Sequence, residues 1–267
     1  MVTNEAASGS KADQARKAGQ FRMLHVPGKP LVLFNVWDAG SARAVAASGL
    51  PKAIATSSWS VAAANGFADG EQIPLSFVLD NLRRIVSVTD LPVTVDLESG
   101  YGDSPEMVGE SVALAIGAGA IGCNLEDSFP ANGNLRELDD QCGRIRRARQ
   151  AAEAAGIPFF INARTDVFFQ KPPALHDAAM VAKAIKRAHA YVEAGADGLF
   201  APGLANVDLI AWLAAASPLP LNIMAGAATP ALTVLAECRV ARLSHGAGPW
   251  VIAMKALEAA AARAEGM

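Results

Sequence analysis

Cysteine is scarce in these 267 residues. Cys123, Cys142 and Cys238 are the three present, with no CxxC pair and no regular spacing. Neither a disulfide framework nor a cysteine-based zinc site is indicated, and a reducing cytoplasm is the expected location. A dominant charge is missing too. With 23 Lys and Arg against 26 Asp and Glu, the net charge is only -3, which leaves no electrostatic footprint for nucleic acid or an anionic membrane. No apolar run reaches the roughly 18 residues of a membrane span. The first twenty residues, rich in Ala, Ser, Lys, Gln and Asp, lack the apolar core of a secretory signal. These absences leave a small molecule as the expected partner, with neither nucleic acid nor membrane.

What is present is a repeat. A short apolar run at 31–34 is followed by Asn35-Val36-Trp37-Asp38-Ala39-Gly40 and a helical segment over 41–48 that stops at Gly49. The same strand, loop and helix recur: strands over 53–56, 93–97, 122–125, 159–163, 198–201, 221–224 and 240–243 alternate with helices over 75–88, 105–118, 144–155, 174–194 and 207–216, one after Pro230, and one over 251–262. Helix exits carry matching punctuation, such as Ala118-Gly119-Ala120, Ala155-Gly156-Ile157-Pro158 and Ala194-Gly195-Ala196, glycine stops followed by re-entry into a buried strand. Eight such alternations predict a single-domain (β/α)8 barrel over 1–267. Residues 13–24 form an extra helix in this reading, and residues 1–12 a disordered leader. An open doubly wound sheet is disfavoured, because no GxGxxG follows the first strand.

A barrel places its active site at the C-terminal strand ends. Polar residues there are Asn35, Asp38, Ser57, Ser58, Asp96, Glu98, Glu126, Asp127, Asn162, Arg164, Asn222, Ser244 and His245. Asp96 and Glu98 stand at i and i+2, so in an extended strand both face one side, roughly 7 Å apart. Together with Glu126 on the next strand they would repel one another, and a divalent cation relieves that repulsion. Oxygen-only ligands suggest Mg2+, or Mn2+, retaining several waters. The structural alternative is that Arg164 alone balances the acids. Arg164 suits a substrate carboxylate or phosphonate, the Ser57-Ser58-Trp59-Ser60 turn an oxyanion, and His245 acid or base work, though a histidine among glycines is often plain loop.

The motifs carry a resemblance. Trp37-Asp38-Ala39-Gly40-Ser41-Ala42-Arg43, Ala55-Thr56-Ser57-Ser58, Gly66-Phe67-Ala68-Asp69-Gly70, Asp96-Leu97-Glu98-Ser99-Gly100-Tyr101-Gly102, Asn124-Leu125-Glu126-Asp127 and Asn162-Ala163-Arg164-Thr165-Asp166 closely resemble, in order, the isocitrate lyase/phosphoenolpyruvate mutase superfamily. The resemblance implies a (β/α)8 barrel, usually a tetramer whose subunits exchange the last helix, using Mg2+ on 2-oxo or 2-hydroxy acids through an enolate. It implies Asp96, Glu98 and Glu126 as metal-site acids and Asp69 as the acid near the metal's water shell. Ser57, Ser58 and Trp59 match the carboxylate-binding turn, Arg164 the substrate-binding arginine, and Asn222 a seventh-strand asparagine of the lyase branch.

Three departures stand out. The Lys-Lys/Arg-Cys-Gly-His loop of the lyases is absent: Glu126 to Asn134 runs straight on. Ala131 occupies the position of the mutase lysine, and Pro202-Gly203 replaces the glutamate or histidine after the sixth strand. Trp59 adds bulk, which hints at a smaller pocket. The leading expectation is a Mg2+-dependent lyase or decarboxylase of a small 2-oxo or 2-hydroxy acid. Alternatives are phosphonate P-C chemistry, a binding barrel without turnover, and a sugar-phosphate site after the last two strands.

Overall fold

Glycine stops and apolar runs resolve, in a computed structural model that describes residues 4–265, into alternating helices and parallel strands. The strands are β1 (Leu31–Leu33), β2 (Ile54–Ala55), β3 (Val93–Asp96), β4 (Gly122–Glu126), β5 (Phe160–Arg164), β6 (Gly198–Ala201), β7 (Leu221–Met224) and β8 (Arg242–Ser244). Every pairing is parallel, in the order β1-β8-β7-β6-β5-β4-β3-β2. An isolated parallel bridge between Val36 and Thr56 joins the two ends and closes the barrel. Both faces of the central strands are covered, so β4, β5 and β6 are nearly all buried, as a parallel sheet requires, while Val32 on β1 is exposed.

The helices among the described residues are α1 (Asn4–Met23), α2 (Ala39–Ala47), α3 (Ser58–Ala64), α4 (Leu75–Val86), α5 (Pro105–Gly117), α6 (Leu138–Ala155), α7 (Ala178–Ala194), α8 (Val207–Ala216), α9 (Leu232–Glu237) and α10 (Gly248–Glu265). Local chemistry sets their ends. Asp38 and Ser41 form a capping box on α2, with the Ser41 N-H donating to Asp38 Oδ1 at 2.7 Å. Ser104 caps α5 ahead of Pro105, and Gly156 and Gly195, both at positive φ, end α6 and α7.

Differences from the sequence reading have local causes. The Ser57 side chain caps a run ending in three alanines, so α3 forms where a loop was expected. The sixth helix starts at Leu138, and Cys142 is buried within it. Asp177 caps the seventh at Ala178, behind a separate short turn over Pro173–Leu175. The first helix overlaps the expected leader over 1–12, of which residues 1–3 lie outside the described residues.

The lower end of the barrel is plugged. His25 stacks on Phe160 at 4.1 Å and meets Phe21 edge-on at 4.7 Å. Its Nδ1 contacts the Phe21 carbonyl at 2.9 Å, which requires that nitrogen to carry the proton. Burial, with the Arg242 charge, drives its pKa down to about 3, so the ring is neutral. No described helix is long and apolar enough to cross a membrane.

Candidate active site

The C-terminal strand ends surround a cavity of about 230 Å³, below the roughly 300 Å³ from which drug-sized sites begin. Its polar lining is Asn35, Ser57, Ser58, Asp69, Asp96, Asn124, Arg164 and Ser244. Its apolar lining is Trp59, Phe169, Phe200, Met224, Gly246 and Ala247. Of the expected site residues, Ser57, Ser58, Trp59, Asp69, Asp96 and Arg164 therefore meet.

Asp96 closes β3 and is held from three sides. Its backbone N-H donates to Thr56 Oγ1 at 2.9 Å, and Ser58 donates both its backbone N-H, at 3.2 Å, and its hydroxyl, at 3.0 Å, to Asp96 Oδ2. The other oxygen, Oδ1, is buried without a hydrogen-bond partner, the only such carboxylate oxygen among the described residues. Orphaned buried acceptors are rare in folded proteins and call for an explanation. The Ser58 donors are thus spent on Asp96, while Ser57 Oγ accepts from the Ser60 N-H and hydroxyl at the start of α3, which leaves the Ser57 hydroxyl proton free to donate.

Glu98 departs from the strand geometry assumed for it. The strand ends at Asp96 and Glu98 adopts φ +50°, a left-handed conformation costly for a residue with a Cβ. The i, i+2 alternation therefore fails here. The side chain turns to the Glu71 N-H, at 2.6 Å, and the Tyr101 hydroxyl, at 3.0 Å. Glu71 and Tyr101 are left-handed as well, and Glu71 Oε1 accepts from Tyr101 N-H and the Ser99 hydroxyl at 2.9 and 2.7 Å. Two strained loops are thereby cross-tied over the acids. Gly100, at φ +107°, cannot be replaced cheaply, since a Cβ would lie 2.9 Å from Val108. From behind, the buried Arg144 donates to the Ser99 and Gly102 carbonyls at 2.6 and 2.8 Å.

Glu126 ends β4 beside Arg164 on β5, its register partner. Arg164 Nη1 reaches Glu126 Oε2 at 2.7 Å, while its Nε and Nη2 hold both oxygens of Asp166 at 2.6 and 3.1 Å. Burial pushes the Glu126 carboxyl up, helped by Asp166, Asp96 and Glu98 and opposed by Arg164. Burial, Asp69 and Asp96 raise Glu98 to about 7, and burial and Asp96 raise Asp69. The site therefore holds more acid than its one guanidinium neutralises.

Among the described residues, no three His, Cys, Asp or Glu side chains stand together as a direct metal cage. The expectation of three acids converging on one ion is corrected accordingly: Glu98 is claimed by Glu71 and Tyr101, Glu126 by Arg164. Asp96 Oδ1 remains the one partnerless acid oxygen, with Asp69 in the lining of the same cavity. That donor set fits Mg2+, which binds through one or two carboxylates and keeps several waters.

Four expected residues do not line the cavity: Glu98 and Glu126, held as described, and also His245 and Asn222. His245 contacts the Leu33 carbonyl through Nδ1 at 3.2 Å and packs on Phe34, away from the acids. Asn222 lies buried beneath the floor, with Oδ1 accepting from Ser244 and Nδ2 unpartnered. Residues that the strand-end reading missed include Glu71, Tyr101, Asn124, Phe169 and Phe200. Arg242 was missed too, a fully buried guanidinium donating to Ser244 Oγ at 2.9 Å and Asn124 Oδ1 at 3.4 Å. Burial lowers its pKa to about 9. Inward alternation on β4 and β8 was the available signal for Asn124 and Arg242.

The chain matches the family model described as phosphoenolpyruvate phosphomutase over residues 21–264. It is 57% identical to a Burkholderia cenocepacia protein provisionally described as a phosphonomutase, with a TM-score of 0.92 over 94% of this chain and 99% of that one. It is 36% identical to an uncharacterised Mycobacterium tuberculosis protein, covering 86% of this chain and 83% of that one. Identity to 2-methylisocitrate lyase of Escherichia coli is 34%, over 79% of this chain and 74% of the lyase. With barrel, motif order and matches in agreement, the chain belongs to the phosphoenolpyruvate phosphomutase family, within the isocitrate lyase/phosphoenolpyruvate mutase superfamily.

Proposed function

We propose that this chain is a Mg2+-dependent lyase, with Mn2+ as a substitute, that cleaves a C-C bond or decarboxylates a small 2-oxo or 2-hydroxy carboxylic acid through an enolate. The observation that carries this reading is the partnerless, buried Oδ1 of Asp96, a residue that lines the cavity together with Asp69. Asp96 would hold the ion directly, and Glu98 and Glu126 through its waters. A bound divalent cation supplies charge withdrawal from the developing enolate, worth several kcal/mol.

The chain's own groups do the rest. Arg164, fixed by Glu126 and Asp166, offers its two remaining N-H groups to the substrate carboxylate. Asp69 lines the same cavity, where burial and Asp96 raise its pKa, and its place there lets it exchange a proton with the enolate carbon. The relation to 2-methylisocitrate lyase supports C-C chemistry. The test is a screen of 2-oxo and 2-hydroxy acids with Mg2+, coupled to pyruvate detection. No turnover of any member by wild type, or full turnover by Asp96→Asn, would reject the assignment.

Phosphonate P-C chemistry is the second reading, favoured by the provisional description of the 57% identical protein. Phosphorus NMR with phosphonopyruvate separates the two. We further propose a cytoplasmic homo-oligomer, tetramer or dimer, exchanging α10. Ile252 and Leu257 are largely exposed on that helix, and Val32, Phe34, Val45 and Leu50 line an apolar groove on the barrel wall. Light scattering on Ile252→Glu/Leu257→Glu tests it, with a monomer expected.

A further inference from the structure

Beneath the cavity lies a cation without a counter-ion. Arg242 is fully buried, and it forms no salt bridge with any acid of the described residues. Its hydrogen bonds go to neutral groups: Nε donates to Ser244 Oγ and Nη2 to Asn124 Oδ1, while Nη1 is sealed without a partner. A buried, unpaired charge is costly and calls for an explanation. Asn124 supplies one. It lines the cavity beside Asp96, its register partner on β3. A guanidinium has no acceptor, so the Asn124 atom that faces Arg242 is the amide oxygen, which also accepts from Asn162 Nδ2 at 2.9 Å. The two donors fix the orientation of the amide. Its Nδ2 then has no acceptor among the described residues, yet it is not sealed from solvent as Arg242 Nη1 and Asn222 Nδ2 are.

We infer that Asn124 Nδ2 is an oxyanion donor that binds the enolate oxygen, and that Arg242 is the positioning residue that holds this amide in place from below the floor. The inference rests on the enolate chemistry proposed above and gives two further residues a part in it. An N-H aimed in advance at a developing charge requires no reorganisation, and its hydrogen bond strengthens as the oxygen gains charge. Asn162 alone cannot fix the direction. Each amide carries a donor and an acceptor, and Asn162 Oδ1 is partnerless, so the pair would be satisfied equally with both amides reversed and Asn124 Nδ2 turned away from the substrate. Only a neighbour that donates and never accepts selects one orientation.

The test is calorimetry on the full chain with Mg2+ and two probes. Oxalate presents charged, planar oxygens like those of a pyruvate enolate, whereas the carbonyl oxygen of pyruvate is neutral. Asn124→Ala should weaken oxalate by at least about tenfold and pyruvate by at most about threefold, since the bond to a charged oxygen is the stronger. Mg2+ alone should bind this variant within about twofold of wild type, which separates the loss from loss of the metal. Arg242→Met should weaken oxalate as well, and the double variant should lose much less than the product of the two single losses. Arg242→Lys, another group that only donates, should restore oxalate binding to within about threefold of wild type. Should Arg242→Met fail to fold, Arg242→Gln takes its place, because its amide offers donor and acceptor alike. Equal losses of oxalate and pyruvate, or oxalate binding by Asn124→Ala within about twofold of wild type, overturn the inference and spare the enolate reading. Multiplying losses in the double variant overturn the positioning role of Arg242. Failure of wild type to bind oxalate overturns the enolate reading itself.

Discussion

The charged wall of the cavity and its apolar wall are built from the same strand-loop-helix repeat, yet they are held by opposite means. On the β3 to β5 side, buried carboxylates are fixed by hydrogen bonds, by one guanidinium and by left-handed backbone at Glu71, Glu98 and Tyr101. On the β6 to β8 side, Phe200 and Met224 need only be packed, and the polar groups run as a chain from Ser244 and Asn124 of the lining to the buried Asn222 and Arg242. The charged wall stores electrostatic stress that a cation would relieve. The apolar wall stores none, so substitutions there should alter fit and stability without touching the head group.

Asp96→Asn gives the sharpest break. It removes the one direct ligand oxygen while keeping an acceptor for Ser58, so activity should fall by at least about a thousandfold. The rise in melting temperature caused by Mg2+ should vanish as well, read by calorimetry and thermal scans. Arg164→Met comes next: it leaves Glu126 and Asp166 unpaired in a buried setting, and urea unfolding should show a loss of about 3–5 kcal/mol. On the other wall, Phe200→Ala should cost about 3 kcal/mol of stability. Its oxalate affinity should stay within about twofold, under ~0.5 kcal/mol. A larger change would mean that the two walls are not independent.

The smallest effect tests the plugged end of the barrel. His25 has its pKa depressed from 6.5 to about 3 on folding. The unfolded chain therefore binds the extra proton between these values, and the contribution is fully present above pH 6.5 and lost progressively as pH falls toward 3. From pH 7 to pH 5 that loss is about 2 kcal/mol. His25→Gln keeps an N-H for the Phe21 carbonyl but cannot titrate, so its stability should drop by about 2 kcal/mol less over the same interval.

Much of the site was legible in the residues. Asp96 and Arg164 were reached from strand-end position and motif together and Asp69 from the motif alone, and the structure brings them into one cavity with Ser57, Ser58 and Trp59. Glu98 was legible as an acid of the site but not in its direction, because alternation holds only while the chain stays extended. His245 failed for a similar reason: a glycine-flanked loop can send its ring either way, and here Phe34 and the Leu33 carbonyl hold it outside. Glu71 and Tyr101 lacked any pattern, since their roles come from contacts between two loops far apart in sequence.

The repeat of apolar runs, glycine stops and helix caps was enough by itself to specify eight strands, their parallel order and which strand ends would carry acids. These follow from local periodicity and backbone preference. Which oxygen of Asp96 is left free, how Arg164 divides itself between two acids, and where the cavity turns from charged to apolar were decided only by closure of the barrel. Closure sets register between strands, and register determines which side chains share a layer and which are buried without a partner.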